Sequence, residues 1–181
     1  MKKAIVFIDG SNFYYRLKYL TKDIERVSLL DFDYRKFCLW LCGDFELIEI
    51  RYYIGAVKRK NHNNKSEKLY DNQQKLFRKL QKQDAQIILG QLIQHPDKTY
   101  HEKGVDVRLA VEMIKFAKEN KFDKAFLISS DTDLVPAVEE VLSFNKKVKY
   151  IGAADSQSFG LSKVTGDYLI LRQEDVKQFL S

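Results

Sequence analysis

Short, nearly unbroken apolar runs alternate along this chain with longer stretches in which apolar residues recur every three or four positions. Ala4–Ile8 is unbroken and reads as a strand covered on both faces. Leu47–Val57 is rich in β-branched and aromatic residues and reads as a second strand. Ala85–Ile93 reads as a third, with Gly90 as a point of bending, and Ala125–Ile128, Val148–Gly152 and Tyr168–Leu171 supply three more. Between them, Ser11–Leu20, Asp33–Leu41, Leu69–Gln83, Val105–Lys118, Leu134–Phe144 and Phe159–Val164 carry helical spacing. The pattern is clearest in Val105–Lys118, where Leu109, Ala110, Met113, Ile114 and Ala117 form one stripe. Pro136 falls in a first helical turn, where it is tolerated. Lys58–Lys68 and His95–Lys103 are polar and read as loops.

Strand and helix in alternation predict an α/β fold, a central and mostly parallel sheet with helices packed on it. With few prolines and glycines and no repeat, residues 1–181 read as one domain. In such sheets ligands gather beyond the carboxyl ends of the strands, where the strand order reverses.

The chemistry is concentrated at those ends. "AIVFIDGSN", residues 4–12, is an apolar run that stops at Asp9, and "AFLISSDTDL", residues 125–134, stops at two serines, Asp131 and Asp133. Parallel strands bring all three acids to one rim. Asp106 opens the helix that precedes the second of these strands, and a right-handed crossover starts such a helix at the same rim. Carboxylates sharing a pocket raise each other's pKa unless a cation is present. Oxygen-only donors suit Mg²⁺ or Mn²⁺, and such an ion polarises phosphoryl oxygens and acidifies water.

Each acid also has a plainer use. Asp106 suits the helix dipole, Asp133 can cap the helix at Leu134, and Asp9 can cap the one at Ser11. The Asn12 amide can bond a ligand, a water or a phosphate, or only a cap. Ser11, Ser129 and Ser130 leave room for close approach, and the last two can donate to a carboxylate or a phosphate or satisfy a turn.

"FIDGSNFYY", "KGVDVRLAVEM" and "LISSDTDLVPAVEEV" together resemble the three blocks of NYN-domain proteins, a branch of the PIN-like nuclease superfamily, in particular the bacterial LabA-like group. The resemblance spans Lys3 to about Leu171 and implies a Rossmann-like, three-layer PIN-like fold. It implies metal-dependent cleavage of RNA, endonucleolytic in kind, with Asp9, Asn12, Asp106, Asp131 and Asp133 as catalytic residues and the four aspartates holding Mg²⁺ or Mn²⁺. Leu134 stands where the family usually has Phe. A further acid on an intermediate helix, for which Asp71 is the candidate, leaves the metal count open.

Charge adds a partner. The formal net charge is +6, and "VKRKNHNNKSEK", residues 57–68, gathers Lys58, Arg59 and Lys60 where a strand ends. Such a loop can track phosphates, as can Lys103 and Arg108, which flank Asp106, with Ser11 and Ser130 beside them. The charge by itself points to a polyanion; with the resemblance, the partner implied is RNA, single-stranded. Arg108 can equally pair with a surface acid. Tyr14, Tyr15 and Tyr100 have rings that can stack bases, although one of Tyr14 and Tyr15 is expected in the core.

Other chemistries lack support. His62, His95 and His101 fall in loops without a nucleophile partner, and no GxxxxGK phosphate loop occurs. Cys38 and Cys42 are spaced as one helix face and read as small buried side chains. No apolar run is long enough for a membrane span; the five-residue apolar run after Met1-Lys2-Lys3 ends at Asp9, too short and too soon charged for a signal peptide, so a cytoplasmic protein is expected. A homo-oligomer is left open. The competing readings are a catalytically silent RNA-binding or regulatory module on the same fold, and an acid-rim phosphatase or Toprim-like nuclease. The last two expect a second acid two residues after the first, or a glutamate in its place, and "DGSN" offers neither.

Overall fold

The protein is described here from a computed structural model covering residues 1–25, 28–57, 64–94 and 100–180, with the backbone alone described over 64–66, 91–94 and 100–103. The chain runs β1 (Lys3–Asp9), α1 (Gly10–Leu20), α2 (Tyr34–Cys42), β2 (Glu46–Ile54), α3 (Asn64–Lys82) and β3 (Ala85–Leu89). A hairpin of β4 (Gln91–Gln94) and β5 (Tyr100–Lys103) leads to α4 (Val105–Lys118) and β6 (Lys124–Ile128). Then follow α5 (Val135–Ser143), β7 (Lys147–Ala153), α6 (Phe159–Thr165), β8 (Tyr168–Leu171) and α7 (Gln173–Lys177). Six strands form one sheet in the order β3-β2-β1-β6-β7-β8, every pair parallel.

The strand order is what positions the site. From β1 the chain builds outward through β2 to β3, and after the hairpin it restarts at β6 on the other side of β1. The order therefore reverses between β1 and β6, and the crevice at their carboxyl ends is where open α/β sheets hold ligands. β1 is the central strand and is buried from Ala4 onward. Its side chains alternate between two cores, as a two-residue period requires. Ala4, Val6 and Ile8 join Phe13 and Leu17 of α1 and Phe37 of α2, and Ile5 and Phe7 join Leu109 and Met113 of α4 and Val138 of α5. Helices thus cover both faces.

The polar stretches depart from expectation. α3 begins at Asn64, so residues 64–68 are helical and not loop; Lys58, Arg59, Lys60 and His62 lie outside the described residues. Gly90 is more than a bend: β3 stops before it and β4 leaves the sheet to pair with β5, which occupies residues expected to be loop. His95 lies outside the described residues. The terminal α7 was not anticipated, because its five residues QEDVK carry little periodicity, yet Val176 is fully buried in the α1–α2 core. Cys38 and Cys42 are both buried free thiols on α2, and burial pushes each above the ordinary thiol pKa.

Gly10 follows from close packing. A Cβ there would lie 2.2 Å from a ring carbon of Tyr52 and 2.8 Å from the Tyr53 carbonyl oxygen. Tyr52 is fully buried and its hydroxyl donates to the Gly10 carbonyl at 3.2 Å. Gly10→Ala is therefore expected to lower unfolding free energy by about 1–3 kcal/mol, the usual cost of overpacking, as measured by urea denaturation. Unchanged stability would show that Tyr52 yields freely.

Candidate active site

β1 and β6 run in register, Ile8 opposite Ile128, so the next residues, Asp9 and Ser129, emerge side by side. Asp9 is only 6% exposed. Its Oδ2 accepts the Ser129 hydroxyl at 3.0 Å, and its Oδ1 accepts the Asn12 backbone N–H at 3.0 Å. The capping use of Asp9 on α1 is thus real and sits beside its place at the rim. Ser129 Oγ in turn accepts the Asp131 backbone N–H at 3.1 Å. The Asn12 side-chain amide donates to Ser130 Oγ at 2.8 Å, a second tie between the two strand ends. Asp131 Oδ1 accepts the Asp133 backbone N–H at 2.9 Å and caps the 3₁₀ turn Thr132–Leu134. Asp133 does not cap the helix: α5 begins behind Leu134 with no side-chain cap, and the capping carboxylate is that of Asp131 on the 3₁₀ turn before it.

α4 starts behind Gly104, which holds φ at +87°, a region open to glycine at little cost. Asp106 lies in the first turn, exposed at the rim. The acids act on one another. Burial pushes the Asp9 carboxyl up, the Asn12 and Ser129 hydrogen bonds pull it down, and the Asp106 and Asp131 charges push it up again, leaving it above the usual carboxylate value. Partial desolvation of its carboxyl by the surrounding rim, and then the charges of Asp131 and Asp133, raise Asp106 likewise. Among the described residues, none of the four aspartates has an ion-pair partner. Equally, among the described residues no three His, Cys, Asp or Glu side chains stand close enough to hold an ion together. Among the described residues the carboxylates thus share a field without forming a closed ligand set. Their oxygen-only chemistry and uncompensated charge fit a hard divalent cation.

A second polar cluster escaped the sequence reading. Glu112 lies on the α4 stripe between Leu109 and Met113 and is buried. It accepts from Arg51 Nη2 at 2.6 Å, the Tyr53 hydroxyl at 2.8 Å and Arg108 Nε at 2.6 Å. Arg51 also pairs with Glu49, and its guanidinium lies 4.7 Å over the Phe116 ring. Burial pushes the Glu112 carboxyl up, but the Arg108, Arg51 and Tyr53 hydrogen bonds outweigh it and hold it below the usual glutamate value. The cluster pins α4 to β2 and so fixes where Asp106 begins. The only signal in the sequence is one glutamate on an otherwise apolar stripe. Arg108, a phosphate candidate, is thus paired with an acid.

Ser11 is exposed and Ser130 half-buried at the same rim. Lys103 is placed only as the last residue of β5. Asp71 is exposed on α3. Tyr14 and Tyr15 are both exposed, at 43% and 63%, so neither is core.

The model of the family described as "NYN domain" matches residues 3–171. The chain belongs to the NYN domain family. The match runs from the first residue of β1 to the last of β8, so every aspartate of the rim lies inside the NYN domain and α7 lies beyond it. A solved structure, that of a Vibrio parahaemolyticus protein described as of unknown function, is similar at 21% identity with a TM-score of 0.64. The alignment covers 99% of this chain and 96% of that one, so the two share this α/β fold. No curated protein matches the chain. Among the described residues, no helix is long and apolar enough to cross a membrane.

The raised Asp9 pKa has a definite sign in stability. Between the unfolded value near 3.8 and the raised folded value, the folded NYN domain keeps a proton that the unfolded chain has lost, so stability falls as pH rises through that window. Asn caps a helix about as well as Asp. In EDTA at pH 7, Asp9→Asn is therefore expected to melt above wild type and to flatten this slope, as followed by circular dichroism from pH 4 to 8. A variant that melts lower, with an unchanged slope, would show that the Asp9 charge is not a burden.

Proposed function

We propose that this NYN domain is a metal-dependent ribonuclease that hydrolyses RNA phosphodiester bonds endonucleolytically. What supports the reading is the meeting of four aspartates from β1, α4 and the β6 loop in one electrostatic field at the switch point, with no ion-pair partner among the described residues. NYN and PIN-like nucleases typically use divalent metals, and Asp9, Asp106, Asp131 and Asp133 would hold Mg²⁺ or Mn²⁺ here. When bound, the ion polarises a phosphoryl oxygen and lowers the pKa of the attacking water.

The chain's own groups do the positioning. Ser129 fixes Oδ2 of Asp9 by donating to it and holds the Asp131 backbone by accepting from it. Asn12 locks α1 to the β6 loop through Ser130. These contacts orient the carboxylates before substrate arrives, as hydrogen bonds behind metal ligands do. Ser11 and Ser130 leave space beside the acids for a phosphate. Lys58, Arg59, Lys60 and Lys103 supply cations of the kind that track an RNA backbone.

A second reading, an RNA-binding module without activity, has one observation in its favour: among the described residues no ligand group is already assembled. Against it stands the charge itself, since clustered carboxylates repel the phosphates a pure binder would hold.

Incubating the purified chain with end-labelled RNA in Mn²⁺ or in EDTA separates the two. Cleavage is expected in Mn²⁺ only. Asp9→Asn and Asp131→Asn should each lose on the order of 10²-fold or more, the size expected for removing one preorganised charge-stabilising group. Ser129→Ala should lose roughly 10–100-fold in metal affinity or rate. Binding without cutting by wild type and variants alike makes the protein a module.

A further inference from the structure

A groove of about 630 Å³ opens at Gly10 and Ser11, directly after Asp9, and runs between α1 and α3. Tyr14, Tyr15, Lys18 and Lys22 line it from α1, and Leu69 and Leu76 from α3. Its described lining holds two lysines and no acid. At Ser28 and Leu30 it meets a second basin of about 400 Å³, where Lys75, Arg78, Lys79 and Lys82 face a single acid, Asp31.

This surface has an unusual build. Tyr14 and Tyr15 expose their rings at 43% and 63% and stand edge to face, with centroids 5.7 Å apart. Exposed rings next to lysines, with apolar residues behind them and no acid in the described lining, suit an anionic chain with flat apolar groups. A nucleic acid strand is such a chain, and ring-plus-cation grooves are how single strands are held without sequence readout. Duplex bases are already stacked inward and cannot reach these rings. The 11 residues of α1 span about 16 Å at 1.5 Å each. That is room for about five nucleotides at a stacked rise of about 3.4 Å.

We infer that the α1–α3 groove holds a single-stranded RNA segment flanking the scissile phosphate, its bases on Tyr14 and Tyr15 and its phosphates on Lys18 and Lys22. The basic face of α3 continues the track beyond Ser28. The inference rests on the nuclease reading for the identity of its ligand, but it is a statement about binding and is tested apart from cleavage. It makes an unpaired stretch beside the cut a requirement of the substrate.

Fluorescence anisotropy with labelled oligouridine of 5 and 12 nucleotides, in EDTA, measures binding with no cutting. Tyr14→Ala/Tyr15→Ala is expected to weaken binding about tenfold or more, while Tyr14→Phe/Tyr15→Phe, which keeps the rings, stays within about twofold. Lys18→Ala should lower the slope of log affinity against log salt by about 0.7, one phosphate contact on a single strand. Lys118→Ala, on the far end of α4, should change nothing, and a blunt RNA duplex should bind more weakly than the 12-mer. All these side chains are exposed, and circular dichroism checks that the variants fold. Unchanged affinity in the double alanine variant, or a duplex bound as tightly as the single strand, overturns the inference. A wild type that cuts RNA while the alanine variant binds normally keeps the nuclease and removes the groove. A wild type that never cuts, yet binds through the tyrosines, does the reverse.

Discussion

The adjacency of β1 and β6 sets everything else. Because Ile8 pairs with Ile128, the two chain segments that leave the sheet next to each other are Asp9-Gly10-Ser11-Asn12 and Ser129-Ser130-Asp131. An almost fully buried carboxylate is placed against a serine and beside two more acids. Burying a carboxylate costs several kcal/mol unless it is compensated. Two hydrogen bonds, from Asn12 and Ser129, offset part of that cost. They do not offset all of it: burial first, and the weaker repulsion from Asp106 and Asp131 after it, keep the Asp9 pKa raised. A fold that holds this arrangement has stability to gain from a dipositive ion, and conflict between local charge and global stability is common where proteins do chemistry.

The surroundings keep that arrangement in place from both faces. Below, Tyr52 packs so closely under Gly10 that no side chain fits there, which fixes the turn from β1 into α1. Behind, Glu112 gathers Arg51, Tyr53 and Arg108 and seats α4 against β2. Asp106 therefore reaches the rim from a helix whose position is set two turns further along. On the open side, α1 presents its tyrosines and lysines to the α3 groove, so one helix carries the Asp9 cap, the Asn12 tie and the proposed strand track.

Much of this was legible in the chain. The unbroken apolar run of β1, the stripe of α4 and the strand-helix alternation specified an α/β sheet with helices on both faces. Direction and handedness alone took Asp9, Asp106, Asp131 and Asp133 to a common rim. What could not be read was set by tertiary contacts. Whether Asp131 or Asp133 caps its turn depends on which carboxylate meets which N–H. The exposure of both Tyr14 and Tyr15 follows from Phe13 and Leu17 filling the inward face of α1. The departure of β4 from the sheet at Gly90 reflects its pairing with β5, which local pattern does not encode. Glu112 looked like an ordinary helical glutamate until its arginines arrived from β2 and from the turn before it.

The four rim aspartates act on one another through their charge, and the proposed reading places a divalent cation among them. The most direct test of that reading is the anomalous scattering of Mn²⁺ in crystals of the full chain grown with the ion. A peak lying between the carboxylates of Asp9, Asp106 and Asp131, drawn together from their spacing here, is the expected result. Ions found only at other surfaces, with these three side chains left apart, would contradict it.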